Sequence, residues 1–160
     1  LLGSENIKTI IQGPFLGKAS LCEPILRALP EWFGIEKATR QYLKDIEVFP
    51  TFLAWRNERV VGFLTLKAHN DYAAEIHVMG ILPEMHRRGV GRALVEAVEK
   101  YLQGQGVEYL QVKTLSSRHP DEGYAQTRAF YEAVGFRPLE EFPDLWGEAN
   151  PCLQMVKRIK

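Results

Sequence analysis

A mixed central β-sheet with helices on both faces, in the α/β to α+β range, is the fold the sequence predicts. Three observations carry that prediction. Two β-rich runs, residues 51–56 and 59–67, are separated only by Asn57-Glu58, the length of a two-residue hairpin loop. A strand at residues 73–81, an amphipathic helix at 89–103 and a strand at 108–115 form one β-α-β unit. Further helices and strands flank these, giving the order β-α-α-β-β-β-α-β-α-β-β.

Each element has a local reason. Residues 6–12 are Ile-rich and are stopped by Gly13-Pro14, which predicts a strand. Ser20 is placed to cap a helix whose apolar positions are Cys22, Ile25, Leu26 and Leu29. Pro24 falls near its first turn, where a missing N–H is best tolerated. Pro30 and Gly34 bracket Trp32 and Phe33, predicting a shaped loop rather than a helix. Ile35, Ala38, Tyr42, Leu43 and Ile46 then recur at helical spacing. In the helix at 89–103, Val90, Ala93, Leu94, Ala97, Val98, Tyr101 and Leu102 form one stripe, which Gly104 and Gly106 end. Residues 124–134 read as a helix stopped by Gly135, and residues 136–141 and 152–158 as closing strands.

The 160 residues predict a single domain spanning 1–160. A chain of this size buries roughly 70% of its unfolded surface and needs no disulfide or metal staple. Twenty Lys and Arg balance twenty Asp and Glu, which argues against a general nucleic-acid binder. Cys22 and Cys152 are far apart and suit a reducing cytoplasm as small packing residues. No signal peptide is evident, and no apolar run approaches the ~20 residues that span a bilayer. The four histidines show no metal-ligand spacing.

The most informative stretch is His86-Arg87-Arg88-Gly89-Val90-Gly91-Arg92, which opens the long helix after the strand at 73–81. Unpaired N–H groups at a helix start carry partial positive charge. Gly89 and Gly91 leave room for a close ligand, and three arginines add charge, so the turn suits a phosphate or pyrophosphate. A tight turn with solvated arginines is the other reading. The P-loop pattern is absent, and two glycines fall short of the dinucleotide fingerprint.

This turn resembles that of the GNAT superfamily of acyl-CoA-dependent N-acyltransferases, which carries Gln/Arg-x-x-Gly-x-Gly/Ala there; His86 stands at the first position. Residues 127–136, Thr-Arg-Ala-Phe-Tyr-Glu-Ala-Val-Gly-Phe, resemble the family's Ala-x-x-Phe-Tyr-Glu-x-x-Gly-Phe helix, with Thr127 for Ala. Tyr124 stands where the family usually has Asn. Residues 74–83 resemble the family's central strand.

The resemblance implies an acetyl-CoA-dependent N-acetyltransferase, with acetyl-CoA as co-substrate and no metal. It places the coenzyme against Met79, Gly80, Ile81, His86, Arg87, Arg88, Gly89, Val90, Gly91 and Arg92, with Arg128 and Phe130 on the later helix. Main-chain N–H groups near Met79 and Ile81 would stabilise the oxyanion. Glu75 is the implied general base, acting through water. Strand alternation puts it on one face with His77, Met79 and Ile81, and a largely apolar setting suits a carboxylate that must bind a proton. His77 is the second base on that face. Tyr131 is the implied general acid, since a phenol keeps its proton at neutral pH.

Trp32, Phe33 and His77 are the candidate acceptor-binding residues, the two aromatics as an apolar wall or simply as core, and Trp146 in Leu145-Trp146-Gly147 is a candidate for a similar role. Glu140, Glu141, Asp144 and Glu148 form an acidic run that either draws a cationic amine or is a solvated loop. The acceptor is a small-molecule or protein amine, with no nucleic-acid or membrane partner, and the chain is a monomer or homodimer. Two alternatives stay open: a non-catalytic acyl-CoA-binding or regulatory module, and an acyltransferase using another acyl chain or acceptor.

Overall fold

The structure, a computed structural model, describes residues 8–160. The described chain divides into two compact units. The first comprises residues up to 67 together with 78–98, and the second residues 68–77 with 99–160. The strand order is β1-β2-β3-β4-β5-β7-β6, and one parallel pair among antiparallel ones makes the sheet mixed.

In the first unit, β1 (Ile10–Phe15) pairs antiparallel with β2 (Thr51–Arg56), and β2 with β3 (Arg59–Ala68). The strand predicted at residues 6–12 therefore begins later, and its residues 6 and 7 lie outside the described residues. Gly13-Pro14 does not end it. The register shifts between Gln12 and Phe15, and a Cβ at Gly13 would sit 2.9 Å from the Phe52 Cα. An irregular ladder with a close backbone approach absorbs both residues. Asn57 and Glu58 have φ of 49° and 62°, the left-handed pair of a type I′ hairpin.

Helix α1 (Ala19–Arg27) buries Cys22, Ile25 and Leu26, as its spacing predicts. Ser20 is not its cap: Lys18 is the N-cap residue, and the Glu47 carboxylate accepts the Ala19 N–H at 3.2 Å. Glu47 belongs to α3 (Glu36–Val48), so the cap comes from a distant residue. Pro24 lies beyond the first turn, on an exposed position. Trp32 and Phe33 form a short helix, α2 (Pro30–Phe33), rather than a loop. The Thr39 hydroxyl, fully buried, donates to the Phe33 carbonyl at 2.9 Å and ties α2 to α3. Ile35 is exposed and serves as N-cap of α3, leaving Ile46 as its buried anchor.

Strand β4 (Ala73–Ile81) runs from the second unit into the first, and α4 (Val90–Gly104) runs back. In the second unit, β4 pairs parallel with β5 (Tyr109–Leu115) from Ala73↔Tyr109 to Ile76↔Val112. Strand β7 (Cys152–Arg158) pairs antiparallel with all of β5, and β6 (Arg137–Phe142) lies outside β7. Asp121 caps α5 (Glu122–Ala133) by accepting the Tyr124 N–H at 3.1 Å. The core of this unit is Leu110, Val112, Phe136, Cys152 and Met155, and that of the first is Ile25, Leu26, Ile46, Leu53, Phe63, Val90 and Leu94.

Candidate active site

The first unit holds the glycine turn. After β4, a 3-10 turn (Pro83–Met85) leads through residues 86–89 into α4. Gly89 has φ +82°, and nothing lies within 4 Å of the place a Cβ would take. Its glycine is thus required by backbone conformation, and the space beside it is open. Arg87 shares the left-handed conformation at φ 62°. Arg87, Arg88 and Arg92 are exposed, and no ion pair among the described residues engages them. Val90 and Gly91 are buried, seating the helix start.

His86 departs from the family pattern yet has a defined job. Its Nε2 lies 2.8 Å from the Ile81 carbonyl, so it donates across the turn to the end of β4. Its ring also meets Trp32 edge-on at 6.2 Å. Gly80 is buried for a packing reason: a Cβ there would approach Phe63 at 3.0 Å and Ile25 at 3.1 Å. Met79 and Ile81 are half-buried. Phe33 packs edge-on to Tyr42 at 5.7 Å, on α3.

The second unit holds the titratable groups. Along β4, Ala74, Ile76, Val78 and Gly80 are buried and His77, Met79 and Ile81 are half-buried, while Glu75, at the alternate positions of these last three, is itself buried. Glu75 is 7% exposed. Its surroundings are polar, not apolar. Lys113 Nζ donates to both carboxylate oxygens, at 3.2 Å to Oε1 and 3.0 Å to Oε2. His69 Nε2 lies 2.7 Å from Oε1. The sequence reading missed both partners. His69 sits in a turn built by Asn70, whose Oδ1 accepts the N–H groups of Tyr72 at 2.8 Å and Ala73 at 3.0 Å. That side-chain turn was the available signal, whereas nothing local joins Lys113 to Glu75.

Tyr131 is 6% exposed and packs between Phe130 at 5.4 Å and Phe136 at 5.5 Å. Burial, reinforced by Tyr124, pushes its phenol well above the ordinary tyrosine value, so it stays protonated. Arg128 donates to the Leu115 carbonyl at 2.7 Å, which fastens α5 to the end of β5. Of the acidic run, Glu141 accepts from the Ser116 hydroxyl at 2.6 Å and faces Arg118 at 3.6 Å. Glu140, Asp144, Glu148 and Trp146 are exposed. Both cysteines are buried free thiols, and burial raises each, Cys22 to about 12.

The acetyltransferase (GNAT) family profile matches residues 20–136. The chain belongs to this family and is an acyltransferase. It is 26% identical over 125 residues to an uncharacterized N-acetyltransferase of Chlorobaculum tepidum, covering 76% of this chain and 72% of that protein. It is 31% identical over 85 residues to the mycothiol acetyltransferase of Thermomonospora curvata. That match covers 53% of this chain and 27% of the relative, so the chain spans about a quarter of its length. In fold it matches the ribosomal-protein-S18-alanine N-acetyltransferase of Escherichia coli, with a TM-score of 0.75 over 96% of this chain and 95% of that one at 20% identity. An aminoglycoside 6'-N-acetyltransferase solved with coenzyme A matches with a TM-score of 0.74 over 94% and 97%, at 18% identity. Among the described residues, no helix is long and apolar enough to cross a membrane.

Proposed function

We propose that the chain transfers an acetyl group from acetyl-CoA to an amine, by direct attack on the thioester within a ternary complex. The observation that carries this reading is the open turn at Gly89, with three exposed arginines that no ion pair among the described residues engages. Main-chain N–H groups of residues 86–92 and those arginines would hold the pyrophosphate. Met79, Gly80 and Ile81 would receive the pantetheine arm through their backbone, and Phe130 and Arg128 the coenzyme beyond it. The neighbour solved with coenzyme A supports this choice of co-substrate.

In the proposed reaction Glu75 takes a proton from the amine, through water, as the nitrogen attacks the thioester carbon. Main-chain N–H groups at Met79 or Ile81 stabilise the oxyanion. The C–S bond then breaks, and Tyr131 donates its proton to the departing thiolate. Residues 20–136, the span of the family match, run through both units, which supports their working as one catalytic domain. The acceptor, a small-molecule or protein amine, is bordered in this reading by Trp32, Phe33 and His77. The buried free thiols support a reducing, cytoplasmic setting.

The test is thiol release from acetyl-CoA against a panel of amines, amino acids, polyamines, aminoglycosides and peptide N-termini. Turnover with one class, and a drop of at least about 100-fold in Glu75→Gln with coenzyme binding intact, is expected. Wild-type turnover by Glu75→Gln refutes the base assignment.

A further inference from the structure

The Glu75 carboxylate is held asymmetrically. Oε1 receives two donors, His69 Nε2 at 2.7 Å and Lys113 Nζ at 3.2 Å. Oε2 receives one, Lys113 Nζ at 3.0 Å. An ionised carboxylate offers roughly two acceptor sites on each oxygen, so Oε1 is filled and Oε2 retains one. The two partners come from different elements, His69 from the turn before β4 and Lys113 from β5. Their side chains are 30% and 26% exposed, against 9% for that of Glu75. A nearly buried carboxylate is therefore held from two sides by groups that reach solvent.

We infer that Lys113 and His69 are positioning residues for the transfer reaction, clamping Glu75 so that Oε2 is the atom that receives the amine's proton. The inference rests on the reading of Glu75 as base. Lys113 places a positive charge against a nearly buried carboxylate and offsets the cost of burying it. Its ammonium donates to both oxygens and has no lone pair, so it accepts no proton itself. His69 Nε2 donates to Oε1 from the other side. The clamp is braced by the His69 N–H, which donates to the Ala73 carbonyl at 3.0 Å, and by the two bonds to the Asn70 side chain. The step balances through the relaying water: the amine N–H bond breaks and its proton passes to the water, the water gives up one of its own to form an O–H bond at Oε2, and that proton later leaves to bulk solvent.

Other charged or titratable groups of this unit surround the pair. The Cys152 thiol on β7 feels both Lys113 and Glu75, and its own ionisation is suppressed by burial. His77 follows two residues along β4.

The test measures kcat, KM and the pH profile of thiol release from acetyl-CoA for Lys113→Met, Lys113→Arg, His69→Gln and Glu75→Gln. The acceptor is an amine that the wild type acetylates in the panel above. Thermal melting of each variant accompanies the kinetics. The expected result for Lys113→Met is a kcat lowered about tenfold or more, with KM for acetyl-CoA unchanged. Lys113→Arg restores most of the rate, and His69→Gln loses severalfold in kcat. A slow Glu75→Gln beside wild-type rates and profiles in Lys113→Met and His69→Gln overturns the clamp and leaves the base standing. A wild-type rate in Glu75→Gln, or no amine turned over by the wild type, overturns the base reading and the clamp with it. Equal losses in Lys113→Met and Lys113→Arg, tracking a lowered melting temperature, also overturn the clamp.

Discussion

Replacing Gly89 by Ala separates the fold from the coenzyme site. At φ +82°, an L-residue pays a left-handed backbone penalty of roughly 1–2 kcal/mol. No steric cost adds to it, because no atom lies within 4 Å of the new Cβ. Each kcal/mol lowers the melting temperature by about 2–4 °C in a chain of this size, so a fall of roughly 2–8 °C is expected. If the turn's amides hold the pyrophosphate, the methyl occupies the open space, or the turn relaxes away from its present shape. Either route weakens coenzyme A by about tenfold or more, a loss of about 1.4 kcal/mol or above. Calorimetric titration with coenzyme A and melting with and without it supply both numbers. Gly104→Ala is the control, since that glycine has no positive φ, ends α4 and also faces open space. A Gly89→Ala protein destabilised as expected, yet binding coenzyme A with wild-type affinity, refutes the turn as the anion site.

Tyr131→Phe should slow thiolate departure while leaving coenzyme affinity within about twofold, and wild-type turnover removes the acid role. The same variant has a signature in alkali. Because the folded protein holds this phenol protonated, its contribution to stability is complete below the ordinary tyrosine value of about 10 and is lost as pH rises beyond it. Denaturant titrations should therefore show a shallower loss of stability above about pH 10 in Tyr131→Phe than in the wild type. Gly80→Ala should destabilise by about 1–3 kcal/mol, since its methyl meets Phe63 and Ile25 at 3.0 and 3.1 Å, and an unchanged denaturation midpoint contradicts that packing. Glu58→Gly should stabilise by roughly 0.5–1 kcal/mol in the same measurement, because Glu58 occupies a left-handed position that glycine takes without strain.

Elements whose cause is local were legible in the sequence. The Asn57-Glu58 hairpin follows from a two-residue gap between β-rich runs, and β7 and the β4-α4-β5 unit from apolar periodicity. Elements whose cause is distant were not. Gly13-Pro14 looks like a stop, but pairing with β2 carries the strand through it. Ser20 looks like a cap, but Glu47 takes that place from α3. Trp32 and Phe33 look like loop, but the Thr39 hydroxyl on α3 donates to the Phe33 carbonyl and ties down a short helix there. At the site, the glycine turn was legible because backbone amides and glycine are written consecutively. The setting of Glu75 was not, because Lys113 lies 38 positions away and reaches it only through the β4-β5 pairing.

The distribution of positive charge shows why the two parts of the site do different work. Lys113 is spent: its ammonium is bonded twice to a nearly buried carboxylate, so the pair presents little net charge to a ligand. Arg87, Arg88 and Arg92 are exposed beside an open turn and carry no such partner among the described residues. In the proposed reading a polyanionic co-substrate is drawn to the turn, while the ion-paired carboxylate does not trap a cationic amine as a tight ion pair. That division favours the proton-transfer role for Glu75 over a substrate-anchoring one, because an anchoring carboxylate would need its charge unpaired. His86 fits the same logic. Its Nε2 is committed to the Ile81 carbonyl, so it shapes the turn from within and leaves the arginines to meet the anion.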